Sequence, residues 1–355
     1  MSHPQRIHRM NSILPVRLGM AYLVIFSHSW WAIFGRDSGE PLMMWTHGQM
    51  NFGALAVDAF FVLSGMLVTA SWWRSRNFRE YLMKRMLRIY PAFIVLILFQ
   101  AFVLVPLLSE NVAPIHLSGI SNVLLFAVTL GGSGRESLPG FSAFPTNPFP
   151  AINASLWTIR PEFFCYLLLG LLGTIRALNY RGIRLGLFGI SLLLFVLQPD
   201  WEWHEMIKGA VGTFYYWPRF LVFFFAGVVL HDLGPKLPSS TWVYCGLTLL
   251  LLASMRHPTL LRGTLPTVGA CVLYRICYSD VLARISSWMP GDVSYGVYLY
   301  GFPCQQWLVA TAGTHWNPYL FSLVAFTLTL VPAGLSWWWI EKPALNLRGR
   351  VAAKP

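Results

Sequence analysis

Hydrophobic residues occur along this chain in long blocks, separated by short segments that carry most of the charged residues. Most blocks hold roughly 17 to 22 residues, the length at which a helix crosses a hydrocarbon core of about 30 Å, and three in the middle are shorter. The blocks are Val16 to Phe34, Gly53 to Trp73, Pro91 to Leu108, Leu156 to Ile175, Leu185 to Leu197, Trp217 to Leu230, Trp242 to Met255, Leu265 to Leu282, Ser294 to Thr311 and Leu320 to Ile340. The pattern predicts an all-α polytopic membrane protein with about ten transmembrane helices.

The basic residues between the blocks predict which helix ends face the cytoplasm, because cytoplasmic loops are enriched in Lys and Arg. Ten crossings place the basic segments on one side of the membrane and both termini in the cytoplasm. These segments are Arg6, Arg9, Arg74 to Arg88, Arg176 to Arg184 and Arg348 to Lys354. A short apolar segment, Ile120 to Leu130, lies in a stretch rich in Gly, Pro and Asn and is predicted to be re-entrant or interfacial on the outer side.

The domain organisation follows from the same pattern. Residues 1–345 are predicted to form one membrane domain, and residues 346–355 a short cytoplasmic tail. The first apolar block lacks a small-residue cleavage site, so we expect a retained helix and not a removed signal peptide. Nothing after Lys342 is long enough to fold alone, and the sequence contains no internal repeat.

Composition agrees with a membrane protein. Hydrophobic residues make up 55% of the chain and charged residues only 11%, against about 25% in an average soluble domain; the mean hydropathy is +0.54. The net charge of +12 could suggest nucleic acid, but the clustering between apolar blocks favours topology signals and contacts to lipid headgroups or ligand phosphates. The cysteines lack CxxC spacing, so we expect no metal site and no disulfide framework.

Arg17 and His28 are two ionisable residues in the first block. Such residues inside a membrane helix normally face the bundle interior or a wet cavity. Eleven steps of 100° return to within about 20° of the starting direction and rise about 16 Å. The two side chains therefore share a helix face, with Arg17 near the cytoplasmic boundary and His28 deeper, toward the outer half. A packing histidine satisfied by a neighbouring helix is the alternative for His28.

Asp58 lies in the outer half of the second block, at a depth comparable to that of His28. A carboxylate bonded to one imidazole nitrogen fixes the tautomer and raises the basicity of the other nitrogen, as a general base requires. His28 and Asp58 are therefore candidate catalytic residues, with Asp58 orienting His28. The alternative is a buried carboxylate that holds two helices together.

The segment from Arg74 to Pro91 alternates basic and apolar residues, which predicts an amphipathic helix on the inner leaflet. Arg85 and Arg88 are three positions apart and lie on one helical face, where they can grip a polyphosphate. Anchoring of the protein by positive charge alone is the alternative interpretation of this segment.

Two carboxylates near later block ends complete the candidates. Glu162 lies near the start of the fourth block, where the N-terminal helix dipole stabilises it, and capping alone could explain its presence. Glu341 follows three tryptophans at 337–339 that form an aromatic belt at the inner interface. We predict that Glu341 pairs with a basic neighbour, and a structural role is favoured.

These residues fall within motifs that resemble the acyltransferase 3 family, which includes bacterial O-antigen, exopolysaccharide and periplasmic-glucan acyltransferases. The resemblance spans nearly the whole chain and rests on six motifs in family order. They are the Arg17 to His28 pair, LAVDAFFVLSG from Leu55 to Gly65, the RxxR-bearing segment from Tyr81 to Pro91, Ser155 to Tyr166, Val293 to Pro303, and Ile340 to Pro343.

The chain departs from the family pattern at two places. Gly301 stands where a histidine is often found, so that position carries no proton. Arg160 and Pro161 replace small or apolar residues ahead of Glu162, which is expected to alter the outer mouth of the site and the choice of acceptor. The SGNH hydrolase-like domain fused to some members is missing here, so we expect the membrane domain to act alone or to pass the acyl group to another protein.

The resemblance implies acyl transfer from cytoplasmic acyl-CoA, with acetyl-CoA favoured, to a hydroxyl of a glycan or lipid-linked glycan, in a bacterial inner membrane. Arg17, Arg85 and Arg88 are then donor-binding residues, and His28 is the general base or carries the acyl group covalently. The residues expected to support the acceptor or the structure are Ser155, Trp157, Glu162, Tyr298 and Glu341.

Two other functions fit the same pattern. A transporter or flippase for an acyl group or a lipid-linked glycan would also line a path with buried charges, but the sequence lacks the two related halves with paired broken helices that favour one. A structural subunit of a glycan-export complex is the third possibility, and it would bind no acyl-CoA.

Overall fold

The computed structural model describes residues 12–36, 39–108, 117–131, 144–197 and 216–352. Within these ranges all regular structure is helical and no strand occurs, which confirms the all-α prediction. Arg6 and Arg9, which entered the predicted topology, lie outside the described residues.

Sixteen helices are numbered here in chain order over the described ranges. They are α1 Ile13–Phe34, α2 Pro41–Trp45, α3 Phe52–Trp73, α4 Phe78–Phe99, α5 Val105–Leu108, α6 Leu117–Val128, α7 Ile159–Thr174, α8 Arg181–Leu197, α9 Trp217–Leu233, α10 Thr241–Ser254, α11 Pro258–Thr264, α12 Ala270–Cys277, α13 Asp280–Ser287, α14 Ser294–Ala312, α15 Pro318–Ser336 and α16 Lys342–Ala352. Three π-helical stretches, Gln100–Leu104, Leu265–Gly269 and Trp337–Glu341, join α4 to α5, α11 to α12 and α15 to α16.

Six helical stretches of the described chain are long and apolar enough to cross a membrane, so the protein is an integral membrane protein. They are Ile13–Phe34, Phe52–Trp73, Phe78–Leu107, Leu156–Thr174, Trp217–Lys236 and Pro318–Arg348. The other four predicted blocks are helical as well, but α8 and α10 are shorter, α11 and α12 are joined through a π-helix, and α14 is less apolar. The count of ten, the cytoplasmic termini and the boundary at residue 345 stay predictions; the helix of the last span continues past that boundary.

The basic segment after α3 forms the first half of a membrane helix. The side chain of Asn77 caps α4 by accepting a hydrogen bond from the backbone N–H of Glu80 at 2.9 Å, and the helix then continues through Pro91. The prediction of a separate amphipathic helix on the inner leaflet is therefore wrong. Proline removes one backbone hydrogen bond, a loss that neighbouring helices offset in membrane bundles. Arg85 and Arg88 consequently lie inside the bundle.

The short helix α6 contains most of the apolar segment that was predicted to be re-entrant or interfacial. Phe126 stacks on Phe93 of α4, with ring centroids 6.5 Å apart, and Tyr90 donates a hydrogen bond to the carbonyl of Val128 at 3.0 Å. Tyr90 lies near the middle of the 30-residue helix Phe78–Leu107. The end of α6 thus lies beside the middle of a membrane helix, which is the position expected for a re-entrant segment.

Two glycines let α3 and α9 approach each other closely. A Cβ atom on Gly65 would lie 2.0 Å from the carbonyl oxygen of Phe224, and one on Gly227 would lie 2.0 Å from that of Val62. Small residues at such crossings allow backbone-to-backbone packing in membrane helices. This contact fixes the positions of the polar side chains that α3 and α9 carry.

Substituting alanine for Gly227 should destabilise the protein by about 1–3 kcal/mol, because the added methyl group meets backbone and the helices must separate. The measurement is the thermal unfolding temperature in detergent. Gly246→Ala is the matched control, since a Cβ atom there meets nothing within 4 Å and alanine is the better helix former. Equal unfolding temperatures for the two variants would contradict the close contact.

Candidate functional site

A cavity of about 290 Å³ opens among α1, α3, α4, α7, α14 and the C-terminal helix. One part of its wall is basic, with Arg17, Arg74, Arg85, Arg88 and Arg348. Another part carries hydroxyl and carboxyl groups, from Ser64, Thr158, Glu162, Tyr166 and Tyr298. We call it the arginine-rich cavity.

Two carboxylates neutralise part of the basic wall. Arg88 donates to Asp292 at 2.8 Å and to Glu341 at 3.4 Å, and Arg17 donates to the same oxygen of Asp292. Burial opposes the charge of Asp292, but Arg17 and Arg88 outweigh it and lower the pKa of Asp292 to about 2. The carboxylate is therefore ionised at neutral pH, and the predicted basic partner of Glu341 is confirmed as Arg88.

Among the cavity arginines that are not exposed, Arg85 and Arg348 lack a carboxylate partner within the described residues. Arg85 donates to the hydroxyl of Ser71 at 3.2 Å, and within the described ranges the buried Nε atoms of Arg85 and Arg348 have no hydrogen-bond partner. No carboxylate in the described part of the chain forms an ion pair with either. A buried cation without an acidic partner is costly, and an anionic ligand would remove that cost. The structure thus separates Arg88, which binds carboxylates, from Arg85, which retains free donors.

Glu162 accepts two hydrogen bonds in the cavity wall. The hydroxyls of Ser64 on α3 and of Tyr166 on α7 both donate to its Oε1 atom at 2.5 Å. Capping of α7 therefore does not account for all of its contacts, because Glu162 also joins two helices. The hydrogen bonds fix this carboxylate inside the cavity.

The segment before α7 is tied to α14 beside the cavity. Tyr298 donates to the carbonyl of Ser155 at 2.6 Å and shares a 2.5 Å hydrogen bond with Thr158. Trp157 is not among the cavity-lining residues and packs instead on Tyr216, with centroids 5.1 Å apart. Of the five predicted supporting residues, only Glu162 and Tyr298 line the cavity.

His28 lies beyond the lining of the arginine-rich cavity, on the helix face that it shares with Arg17. Its ring meets Phe302 edge-on, with centroids 5.2 Å apart. Phe302 follows the cavity-lining Tyr298 by four residues, a rise of about 6 Å. The Nδ1 atom of His28 is buried and has no hydrogen-bond partner among the described residues, which is uncommon for a buried polar atom. An imidazole nitrogen without a competing bond thus lies about one helical turn past the cavity.

Asp58 pairs with Arg219 and not with His28. Arg219 donates from Nε and Nη2 to the two oxygens of Asp58 at 2.7 and 2.8 Å, the bidentate geometry typical of strong arginine–carboxylate pairs. The predicted hydrogen bond between Asp58 and His28 is therefore wrong, and the alternative of a carboxylate that joins two helices describes the structure. Sequence reasoning missed Arg219 because it lies 161 positions from Asp58.

The positions that depart from the family pattern either contribute to helix packing or do not line the arginine-rich cavity. A Cβ atom on Gly301 would lie 2.7 Å from Cγ1 of Ile25, so a larger side chain would require the side chain of Ile25 to move. Arg160 and Pro161 do not line the arginine-rich cavity. Among the described residues, no three His, Cys, Asp or Glu side chains come together to hold a metal ion.

The described chain is thus a membrane helix bundle with a basic cavity, and His28 lies just past that cavity. The family model described as an acyltransferase domain matches residues 16–339. The chain belongs to the acyltransferase 3 family, and it is an acyltransferase for groups other than aminoacyl groups.

Two relatives match over nearly their full length. The O-acetyl transferase of Shigella phage Sf6 is 26% identical over 351 residues, covering 96% of this chain and 97% of the phage protein. Nodulation protein 10 of Rhizobium leguminosarum bv. viciae is 29% identical over 369 residues, covering 98% of this chain and 96% of that protein. No solved structure matches the chain significantly.

Proposed function

We propose that this protein is an O-acyltransferase that moves an acyl group, with acetyl favoured, from cytoplasmic acyl-CoA to a hydroxyl of a glycan or lipid-linked glycan. The observation that carries the proposal is the arginine-rich cavity with buried, unused arginine donors. The name of the phage relative, an O-acetyl transferase, supports both the acetyl group and the oxygen acceptor. Ten crossings, cytoplasmic termini and a bacterial inner membrane belong to the same proposal.

Arg85 and Arg348 are the proposed anchors for the phosphates of the donor. Both keep free donors in the cavity wall, and guanidinium groups bind phosphate oxygens in pairs. Arg17 and Arg88 contribute less charge than the sequence suggested, because Asp292 and Glu341 already bind them. Their proposed role is to shape the cavity entrance around the donor.

The acyl group would travel along α1 from Arg17 to His28, a rise of about 16 Å. The phosphates of acyl-CoA stay at the basic wall, and the extended pantetheine arm carries the thioester past Tyr298 to the level of His28. Only the acyl end of the donor needs to reach the histidine.

His28 is the proposed general base. Its free imidazole nitrogen takes the proton of the acceptor hydroxyl as the oxygen attacks the thioester carbonyl. The tetrahedral intermediate then collapses, the C–S bond breaks, and the thiolate of CoA takes the proton back from the imidazolium. Where the acceptor cannot reach the thioester directly, His28 would instead carry the acyl group covalently before passing it to the hydroxyl.

The family assignment argues against the transporter or flippase and against the structural subunit, because neither transfers an acyl group. Saturable binding of labelled acetyl-CoA to the purified protein in nanodiscs tests the proposal. No binding by the wild-type protein would overturn it.

Arg85→Gln should weaken the binding of labelled acetyl-CoA about 10- to 100-fold, the range expected for losing a hydrogen bond to a charged group. Arg79→Gln is the matched control, since Arg79 lies on the same helix, is exposed and does not line the cavity. We expect this control to bind like the wild type. Equal dissociation constants for the two variants would show that Arg85 does not hold the donor.

A further inference from the structure

A second cavity, of about 410 Å³, lies at the other end of the bundle. It is lined by the loop before α3, the end of α8 and the starts of α9 and α11, whereas the arginine-rich cavity reaches the end of α3 and the starts of α1 and α4. We call it the Arg262 cavity. Its volume lies within the range of about 300–1,000 Å³ that is typical of small-molecule sites.

The described lining of the Arg262 cavity is largely apolar, and the charged side chains in it are basic. Arg219 and Arg262 line it, and the described lining residues include no acidic side chain. Arg219 is bound to Asp58, but Arg262 makes no hydrogen bond or ion pair within the described chain. The Oε1 atom of Gln49, another lining residue, is buried and has no hydrogen-bond partner in the described part of the chain. The cavity therefore offers a cation and an acceptor oxygen that the described residues leave unused.

The Arg262 cavity lies close to the depth of His28 in the bundle. Ser27, which precedes His28, packs against Gly53, with 3.1 Å between the Ser27 Cβ and a Cβ built on Gly53. Gly53 follows the cavity-lining Met50 by three residues. A ligand held in the Arg262 cavity would thus lie at the depth where the acyl group arrives.

Side chains of α3 and α9 connect the linings of the two cavities. Phe61 lines the arginine-rich cavity and stacks on Phe220, with centroids 4.6 Å apart and planes at 14°. Beside this stack, Asp58 binds Arg219, which lines the Arg262 cavity. The two cavities therefore approach each other from opposite ends of the bundle. We call the stack and the ion pair the partition.

We propose that the Arg262 cavity binds the acceptor and selects a sugar that carries an oxyanion, either a carboxylate or a phosphate. This inference rests on the proposed function. The guanidinium of Arg262 pairs with the oxyanion, and Gln49 Oε1 accepts a hydrogen bond from a sugar hydroxyl. A neutral sugar leaves the cation unpaired, so the site discriminates against it by charge.

Arg262→Gln tests the proposal by direct binding, with Arg256→Gln as the matched control. Arg256 is exposed, lies six residues away and does not line the cavity. The probes are a glucuronate-containing disaccharide and its neutral glucose counterpart, added to protein in phosphatidylcholine nanodiscs. We expect the wild type and Arg256→Gln to prefer the acidic disaccharide, and Arg262→Gln to lose about 10- to 100-fold of that affinity. Glucose 1-phosphate distinguishes phosphate from carboxylate as the preferred oxyanion.

Acetyl-CoA binding, measured in parallel, separates this inference from the proposed function. One outcome is that acetyl-CoA does not bind, while the preference for the acidic disaccharide depends on Arg262. The anion site is then confirmed and the proposed function is wrong. If acetyl-CoA binds and Arg262→Gln keeps the wild-type preference, or the wild type has none, the inference about the acceptor is overturned. Binding of phosphatidylglycerol headgroups with no sugar binding would also overturn it.

Discussion

Replacing His28 with alanine should slow acyl transfer about 10²- to 10⁴-fold, the contribution typical of a positioned general base. Acetyl-CoA binding should stay unchanged, because His28 does not line the arginine-rich cavity. The assay follows transfer of labelled acetyl from acetyl-CoA to the acceptor, and donor affinity is measured on the same preparation.

The control for His28→Ala is a variant that disturbs the same packing without removing the imidazole. Phe302→Leu replaces the ring that His28 meets edge-on and should retain most of the transfer rate. If correctly folded His28→Ala protein acylates at the normal rate, the imidazole is not the base and the alternative of a packing histidine is correct.

Replacing Asp58 with alanine should destabilise the protein by about 3–5 kcal/mol, because it removes the bidentate ion pair that joins Asp58 to Arg219 at a buried site. The carboxylate side chain is only 3% exposed, so water cannot easily replace the lost contact. The free energy of unfolding in detergent measures the effect.

The double variant Asp58→Leu, Arg219→Met separates a structural role of Asp58 from a catalytic one. Removing both charges together should restore much of the stability that Asp58→Ala loses, since apolar residues often replace a buried ion pair at little cost. Transfer by the double variant, measured at saturating acceptor, should then proceed near the normal rate. A stable Asp58→Ala variant without transfer activity would instead assign Asp58 to catalysis.

The sequence predicted the helices and their inward faces better than the contacts between them. Block length and hydropathy identify membrane helices directly, and 3.6-residue periodicity places Arg17 and His28 on one face. The pair of Asp58 and Arg219 depends on which helices pack together, and spacing along one chain does not contain that information. Asp292 and Arg348 were missed for the same reason, since each contributes to the cavity only through tertiary packing.

The error at α4 has a related physical cause. A segment as basic as Arg74 to Arg88 resembles a surface helix when each charge is considered alone, because an unpaired cation in a membrane is costly. In the folded protein Asp292 and Glu341 bind Arg88, which offsets that cost. Acidic residues more than 200 positions downstream thus allow a basic helix to enter the bundle.

The partition between the two cavities bears on the permeability barrier of the membrane. Donor and acceptor would enter from opposite faces, yet the stacked rings of Phe61 and Phe220 and the pair of Asp58 and Arg219 lie between them. In the proposed reaction only the small, uncharged acetyl end of the donor would have to reach His28, whereas a hydrated ion would have to displace the side chains of the partition. We therefore expect the protein to deliver acyl groups across the bilayer without dissipating the proton gradient.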